Sequence, residues 1–167
     1  GERQVRRTAS GELVFPRIEP AVMALVLSRD GERVLLANNR LWHENRFALI
    51  AGFVDPGENP ALTCLREAHE EAGVKIEVLA LAQLKADPAM RFGNGDRCQF
   101  LDHTFLCRWV AGDARVNDDE STQVRWADMT DPTERAMLSE RMLDRIDAAL
   151  GYDGHCRFGY ESVSPKG

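Results

Sequence analysis

The 167-residue chain lacks the features by which several protein classes are recognised. Its four cysteines are far apart and form no C-x-x-C pair: Cys64, Cys98, Cys107 and Cys156. This spacing argues against a zinc ribbon and a dense disulfide framework, so we expect reduced, partly buried thiols. No apolar run approaches the roughly 18 residues that a membrane helix needs, and the N-terminus has no signal-peptide pattern. We therefore expect a cytoplasmic protein with no membrane partner.

Basic residues are outnumbered by acidic ones. Lys and Arg number 21 against 27 Asp and Glu, which gives a formal net charge of −6 without any long basic block. Sequence-independent binding to duplex nucleic acid or anionic lipid needs a basic face, so the composition argues against both partners. A polyanionic ligand would need local neutralisation, which favours a divalent cation held by carboxylates.

Apolar patterning predicts a mixed α/β chain. Short apolar runs predict strands at 21–27, 33–37, 47–50, 74–84, 98–110 and 123–126. The first two of these are expected to form a hairpin of buried strands. Helical periodicity predicts one helix over 59–72, ended by Gly73, and a second over 133–150. The simplest architecture is one sheet with a helix packed on each face, followed by a poorly specified tail from Tyr152.

The first predicted helix carries three glutamates at positions i, i+3 and i+4, namely Glu67, Glu70 and Glu71. Their carboxylates are expected to converge on one face of the helix. We expect that face to lie opposite an apolar stripe formed by Ala61, Leu65, Ala68 and Ala72. Like charges this close repel one another, and a hard cation such as Mg²⁺, Mn²⁺ or Ca²⁺ would stabilise them. A bare E-x-x-E-E is more often a solvated acidic helix, so the surrounding residues decide.

The residues around the glutamates fit the same purpose. Glu58 lies at the loop-to-helix junction, where it could reach the same cation or the first-turn amides. Arg66 could pair with a carboxylate and fix its rotamer. Gly52 and Gly57 allow sharp turns and expose backbone carbonyls.

Together these residues follow a known pattern. The segment 52–74 reads GFVDPGENPALTCLREAHEEAGV and reproduces G-x5-E-x7-R-E-U-x-E-E-x-G-U, in which Ala68 is the one soft match. The chain therefore resembles the Nudix hydrolases, whose signature is this box. The resemblance implies a Nudix-type α/β/α sandwich with a mixed central sheet over residues 16–150. An N-terminal arm (1–15) and a C-terminal tail (151–167) would flank it.

The resemblance also implies an activity. A Nudix hydrolase cleaves a pyrophosphate bond in a nucleoside diphosphate linked to another moiety, with Mg²⁺ or Mn²⁺ as cofactor. By resemblance, Glu67, Glu70 and Glu71 hold the metal together with the Gly52 carbonyl, while Glu58 and Arg66 organise the site. The partner would be a small-molecule nucleotide, and the sequence leaves a homodimer open.

The general base is left open by the sequence. One candidate is Glu70 in the box, and the other is a carboxylate from a downstream loop. Glu120 ends the acidic run 117–120, six residues before Trp126, and resembles an additional metal-binding glutamate of some Nudix pyrophosphatases. An acidic turn is an equally good interpretation of that run.

Two further segments bear on the substrate. Residues 15–22 (FPRIEPAV) and 50–58 (IAGFVDPGE) resemble the NADH pyrophosphatase branch, which favours a dinucleotide or ADP-ribose-like substrate. The chain lacks that branch's four-cysteine zinc ribbon and its S-Q-P-W-P-F-P run, in whose place QLKADPAMRF stands at 83–92. The alternatives therefore include a housecleaning nucleoside triphosphate pyrophosphatase and a non-catalytic nucleotide-binding module, although the intact box counts against the latter.

Several side chains outside the box are candidates for substrate binding. Arg40, Arg46 and Arg91 could clamp phosphates, and Phe47 could stack on a base because it follows an arginine. Trp42 and Phe92 are more readily interpreted as core residues.

Overall fold

The computed structural model describes residues 6–14, 18–41, 45–88, 90–91 and 97–159. Within these residues the strands are β1 (Arg6–Arg7), β2 (Leu13–Val14), β3 (Ile18–Leu27), β4 (Val34–Asn39), β5 (Ala48–Phe53), β6 (Lys75–Ala86), β7 (Met90–Arg91), β8 (Arg97–Ala111) and β9 (Ser121–Ala127). The helices are α1 (Pro60–Ala72), α2 (Pro132–Arg135) and α3 (Glu140–Leu150). No helix in these ranges is long and apolar enough to cross a membrane.

A mixed sheet forms the centre of the molecule, with the strand order β6-β8-β3-β5-β4-β9. Strands β3 and β8 run parallel, and the other neighbours in this order are antiparallel. Short strand β7 pairs with β8, while β1 and β2 pair with each other outside the main sheet. The predicted α/β class with a mixed central sheet is confirmed.

The sheet separates two hydrophobic layers, each covered by one helix. On one face α1 buries Cys64 and Ala68 in a cluster with Ile50 of β5. On the other face α3 buries Met142 and Ile146 in a cluster with β3, β4 and β5. One helix therefore packs on each face, as the alternation of strands and helices predicts.

The predicted hairpin of β3 and β4 is confirmed next to its turn and wrong beyond it. Within the described residues these strands pair at Leu27 and Val34, next to their connecting turn, and β5 lies between them, antiparallel to both. The reason is that β5 is apolar on both sides. Leu49 packs in the α3 layer and Ile50 in the α1 layer, so β5 gains most from a central position.

The predicted helix over 133–150 is also wrong, because the structure has two helices there. Ser139 lies between them in an extended conformation, and its side chain accepts a hydrogen bond from the Met142 N–H as the N-cap of α3. The Met137 carbonyl accepts a hydrogen bond from the Phe47 N–H at 3.0 Å. Leu138 is buried although it lies between the two helices. The apolar pattern of the sequence therefore continues through the break, and the pattern alone does not reveal it.

The buried face of α1 differs from the predicted stripe. Leu65 is 38% exposed, whereas Thr63 and Cys64 are fully buried. Ala68 and Ala72 are buried as predicted, so the buried face is turned only in part, by roughly 50°, which is about half the angle between successive residues. As a result Glu67 and Glu71 lie beside the buried face, next to β5, instead of opposite it.

Residues 152–159 lie against the edge strand β6. The Arg157 N–H donates to the Ala82 carbonyl, and the Arg157 carbonyl accepts from the Leu84 N–H, both at 2.8 Å. Tyr152 packs against the α3 layer. This part of the predicted tail has a defined place in the fold, which the sequence pattern did not indicate.

Candidate active site

The site is built on the junction between β5 and α1. Strand β5 ends at Phe53, and the loop after it turns at Gly57, whose φ of +80° lies in the region that glycine favours. The Asn59 side chain accepts from the Ala61 N–H at 3.1 Å and caps α1. Gly73, with a φ of +67°, ends the helix. Both ends of the glutamate-bearing helix are thus fixed by local sequence.

Arg66 links the loop to the helix. Its Nε and Nη2 donate to the two Glu58 carboxylate oxygens, each at 2.9 Å, and Nη2 also donates to the Phe53 carbonyl at 3.0 Å. The Thr63 hydroxyl donates to Glu58 at 2.6 Å. Hydrogen bonds from Arg66 and then Thr63 lower the pKa of Glu58 to about 2. The ionised Glu58 therefore holds the Arg66 guanidinium against the loop that follows β5.

Glu67 lies directly against the end of β5. Arg66 Nη1 donates to its Oε1 at 2.8 Å. A Cβ placed on Gly52 would be 2.2 Å from the Glu67 carboxyl carbon, so a larger residue at position 52 would displace this carboxylate. Burial raises the pKa of Glu67, and Arg66 opposes that shift.

Glu71 is the most buried carboxylate of the helix. Its Oε2 accepts from the Ala51 N–H at 3.3 Å. Burial, followed by the negative charges of Glu67, Asp118 and Glu120, raises the pKa of Glu71 to about 9. Ionised together, these carboxylates would be stabilised by a nearby cation.

A cleft of about 410 Å³ opens beside these carboxylates. It is lined by Gly52, Glu67, Glu71 and Glu120, the last of which directly precedes β9. The Arg40 N–H donates to the Glu120 carbonyl at 2.7 Å, which ties the start of β9 to the end of β4. The structure thus brings four of the predicted metal donors to one cleft.

Glu70 does not belong to this lining. Its carboxylate is about half exposed and lies 3.3 Å from Arg66 Nη1. In the described part of the chain, no three His, Cys, Asp or Glu side chains form a preformed metal cluster. The oxygen-only donors and the raised pKa values of Glu67 and Glu71 nevertheless fit a hard divalent cation.

A second cavity, of about 490 Å³, shares lining residues of β5 with the first and is also lined by Arg46 and Phe47. Phe47 is 3% exposed, packs in the α3 layer and has the Arg125 guanidinium 5.6 Å from its ring centre, so its stacking role stays a prediction. Arg40 is exposed and lines neither cavity. The Arg91 side chain and residues Trp42 and Phe92 lie outside the described residues.

The sequence did not indicate the charged network in the second cavity. Asp102 of β8 is fully buried, and its Oδ2 accepts from Arg141 Nη2 at 2.7 Å and Arg145 Nη2 at 2.9 Å. Burial, followed by the neighbouring Asp87, raises the pKa of Asp102, and Arg145 and Arg141 oppose that shift. An aspartate inside the predicted strand 98–110 is the one signal that could have drawn attention to it.

The comparison with protein families gives a match to the NUDIX domain over residues 17–147. The NAD-capped RNA hydrolase NudC of Chromobacterium violaceum is 34% identical over 119 residues, which cover 71% of this chain and 41% of that protein. Nudix hydrolase 19, chloroplastic, of Arabidopsis thaliana is 35% identical over 144 residues, which cover 86% of this chain and 32% of that protein. The chain therefore spans less than half the length of these relatives.

Solved structures show the same fold. A NUDIX hydrolase from Nitrosomonas europaea has a TM-score of 0.67 at 16% identity, covering 95% of this chain and 92% of that one. A UDP-X diphosphatase has a TM-score of 0.61 at 18% identity, covering 87% of this chain and 68% of that one. With the intact box on α1 and the family match over most of its length, the chain belongs to the Nudix hydrolase family.

Proposed function

We propose that the chain hydrolyses a pyrophosphate bond in a nucleoside diphosphate linked to another moiety, with Mg²⁺ or Mn²⁺ as cofactor. The observation that carries this proposal is the convergence of Glu67, Glu71 and Glu120 on one cleft beside Gly52. These three carboxylates and the Gly52 carbonyl would hold the metal. When bound, a divalent cation neutralises phosphate oxygens and lowers the pKa of a coordinated water.

The side chains of the site have separate tasks in this proposal. Arg66, held by Glu58, fixes the rotamer of Glu67. Of the two candidate bases, Glu120 lines the cleft, whereas Glu70 is directed to Arg66. We therefore assign the removal of the water proton to Glu120 and a supporting role beside Arg66 to Glu70.

A dinucleotide or ADP-ribose-like substrate is favoured. The segment 50–58 supports it, and so does the second cavity, which gives room for another moiety next to the cleft. The NudC relatives are named for NAD-capped RNA, so nucleic acid is not excluded as part of the substrate, against the expectation from composition. The housecleaning triphosphatase remains the alternative, since the box itself is shared by both activities.

The proposal is tested by identifying products by mass spectrometry. The protein is incubated with each of NAD⁺, NADH, ADP-ribose, NAD-capped RNA and nucleoside triphosphates. Each incubation is carried out first with Mg²⁺ and then with Mn²⁺. We expect release of AMP from a dinucleotide-type substrate. Pyrophosphate from a triphosphate would favour the alternative, and no turnover with either metal would contradict the enzymatic proposal.

Glu71→Gln tests the carboxylate assignment. The substitution removes one buried carboxylate that would bind the metal. We therefore expect kcat to fall by at least about 100-fold, while circular dichroism shows that the protein stays folded. Glu77→Gln is the matched control, since Glu77 is an exposed residue of β6 paired with Arg108. A fully active Glu71→Gln variant would contradict the assignment.

A further inference from the structure

The second cavity continues from the proposed metal cleft. Both are lined by Ala48, Ala51, Gly52 and Phe53 of β5. A substrate whose pyrophosphate lies against Glu67 and Glu71 can therefore extend past the end of β5 into the second cavity. Ala21 of β3 is in register with both Phe53 and Asp102. The side chains of Phe53 and Asp102 thus lie on the same face of the sheet, the one covered by α3.

Asp102 presents an unused acceptor there. The residue is fully buried and lines the cavity, and the two arginine donors both bind its Oδ2. Among the described residues, Oδ1 has no hydrogen-bond partner. A buried carboxylate oxygen without a donor is unfavourable, so a ligand that brings an N–H group would gain by satisfying it.

The charges around Asp102 are balanced. Arg141, Arg145 and Lys85 face the carboxylates of Asp102, Asp87 and Asp144 in one connected network. With three positive and three negative groups, the network does not need a charged ligand for neutrality. At Asp102 itself, the unpartnered Oδ1 favours a neutral donor.

The walls of the cavity suit a flat ligand. Phe53 is 53% exposed, and its ring centre lies 5.4 Å from that of Phe100, with 45° between the ring planes. An exposed aromatic face beside a buried acceptor accommodates a heterocycle that stacks on one side and donates at its edge. Arg46 lines the same cavity and is exposed, where it could meet a phosphate.

We propose that Asp102 selects substrates whose moiety in the second cavity is a planar heterocycle with a neutral N–H donor, received by Oδ1. The donor is the amino group of a purine or the carboxamide of a nicotinamide ring. This inference rests on the proposed pyrophosphatase function, because it concerns the moiety joined to the scissile bond.

The wild-type protein gives the first test. Hydrolysis of NAD⁺ is compared with that of nicotinic acid adenine dinucleotide, which replaces the carboxamide by a carboxylate. It is also compared with nicotinamide hypoxanthine dinucleotide, which replaces the amino group by a carbonyl and carries its N–H donor at ring position N1 instead. We expect one of these changes to lower kcat/KM by at least about tenfold, mainly through KM, and thereby to identify the ring that is bound. Equal kcat/KM values for all three would overturn the inference.

Asp102→Asn gives the second test. Arg141 and Arg145 both donate to Oδ2 of Asp102. In the variant, we expect the amide oxygen of the asparagine to accept these two hydrogen bonds, which leaves its NH₂ group at the position of Oδ1. We expect the preference to reverse toward the acceptor-bearing analogue. Asp144→Asn is the control, since Asp144 also accepts from Arg145 but does not line the cavity, and it should keep the wild-type preference.

The outcomes separate this inference from the proposed function. A variant at position 102 that keeps the wild-type preference would overturn the role of Asp102 while leaving the hydrolase assignment intact. If the variant does not fold, the three wild-type kcat/KM values decide. Absence of hydrolysis of every substrate by the wild-type protein would instead contradict the proposed function itself.

Discussion

Gly52 shows how one residue sets the geometry of the site. It has no positive φ, so its role is steric: a methyl group there would overlap the Glu67 carboxyl group at 2.2 Å. Glu67 can swing away because it is a long side chain, so Gly52→Ala should cost at most about 1 kcal/mol of stability. The displaced carboxylate should lower kcat by about 10–100-fold.

Steady-state kinetics and thermal unfolding of the same sample check this prediction. Gly31→Ala is the matched control, because Gly31 lies in the turn between β3 and β4 with open space around its Cβ position. That variant should keep its kcat although its φ of +76° makes it the more strained substitution. A normal kcat in Gly52→Ala would show that contact with Glu67 does not matter for turnover.

Glu58 carries a prediction about acid stability. Its pKa is lowered from 4.5 to about 2, first by Arg66 and then by Thr63. A lowered pKa means that the ionised side chain stabilises the fold above pH 4.5, and that this contribution is lost as the pH falls towards 2. The Tm difference between the wild-type protein and Glu58→Gln should therefore be largest at neutral pH and disappear between pH 4.5 and 2.

Melting curves across this pH range provide the measurement. Arg66→Gln removes the partner, so it should abolish the same pH-dependent part of the stability, and the double variant should add little to either single one. A constant Tm difference down to pH 2 would show that the Glu58–Arg66 pair is not what lowers the pKa.

At the level of elements, the break between α2 and α3 depends on Ser139. Its side chain caps α3 by accepting from the Met142 N–H at 3.2 Å. Ser139→Ala should cost about 1 kcal/mol, or roughly 2–4 °C in Tm for a chain of this size. Ser139→Asp retains a capping oxygen and should stay near the wild-type Tm. Equal stability of all three proteins would mean that the cap contributes nothing.

Elements governed by nearby residues were predictable from the sequence. Helix α1 follows from Asn59, Pro60 and Gly73, which begin and end it locally. The position of β5 between β3 and β4 was not predictable, because it depends on pairing between distant segments. The break in the second predicted helix likewise involves a long-range contact. It is the hydrogen bond from the Phe47 N–H to the Met137 carbonyl, between residues 90 positions apart.

The candidate site divides in the same way. The box predicted Gly52, Glu67 and Glu71 as neighbours because the helix repeat and one short loop bring them together. Asp102 and Arg145 are 43 residues apart, and their pairing requires the finished sheet with α3 on it. A single sequence contains no periodic signal for such a contact.

The whole molecule depends on how the sheet ends, since an uncovered edge strand exposes unpaired N–H and C=O groups. Strand β6 is such an edge, and residues 152–159 cover part of it through the Arg157 N–H and carbonyl. Arg157→Pro removes the N–H that donates to Ala82, whereas Arg157→Ala keeps it and loses only the side chain. Comparing these two variants isolates the backbone pairing from the guanidinium.

Arg157→Pro should be less stable than Arg157→Ala by about 1 kcal/mol or more, because a backbone hydrogen bond is lost and the Ala82 carbonyl loses its donor. Urea unfolding gives the difference as a shift in midpoint at unchanged slope. Both variants should keep the wild-type kcat, since Arg157 lines neither cavity. If the two unfold at the same urea concentration, the tail is not paired with β6 in solution, and the sheet edge is open there.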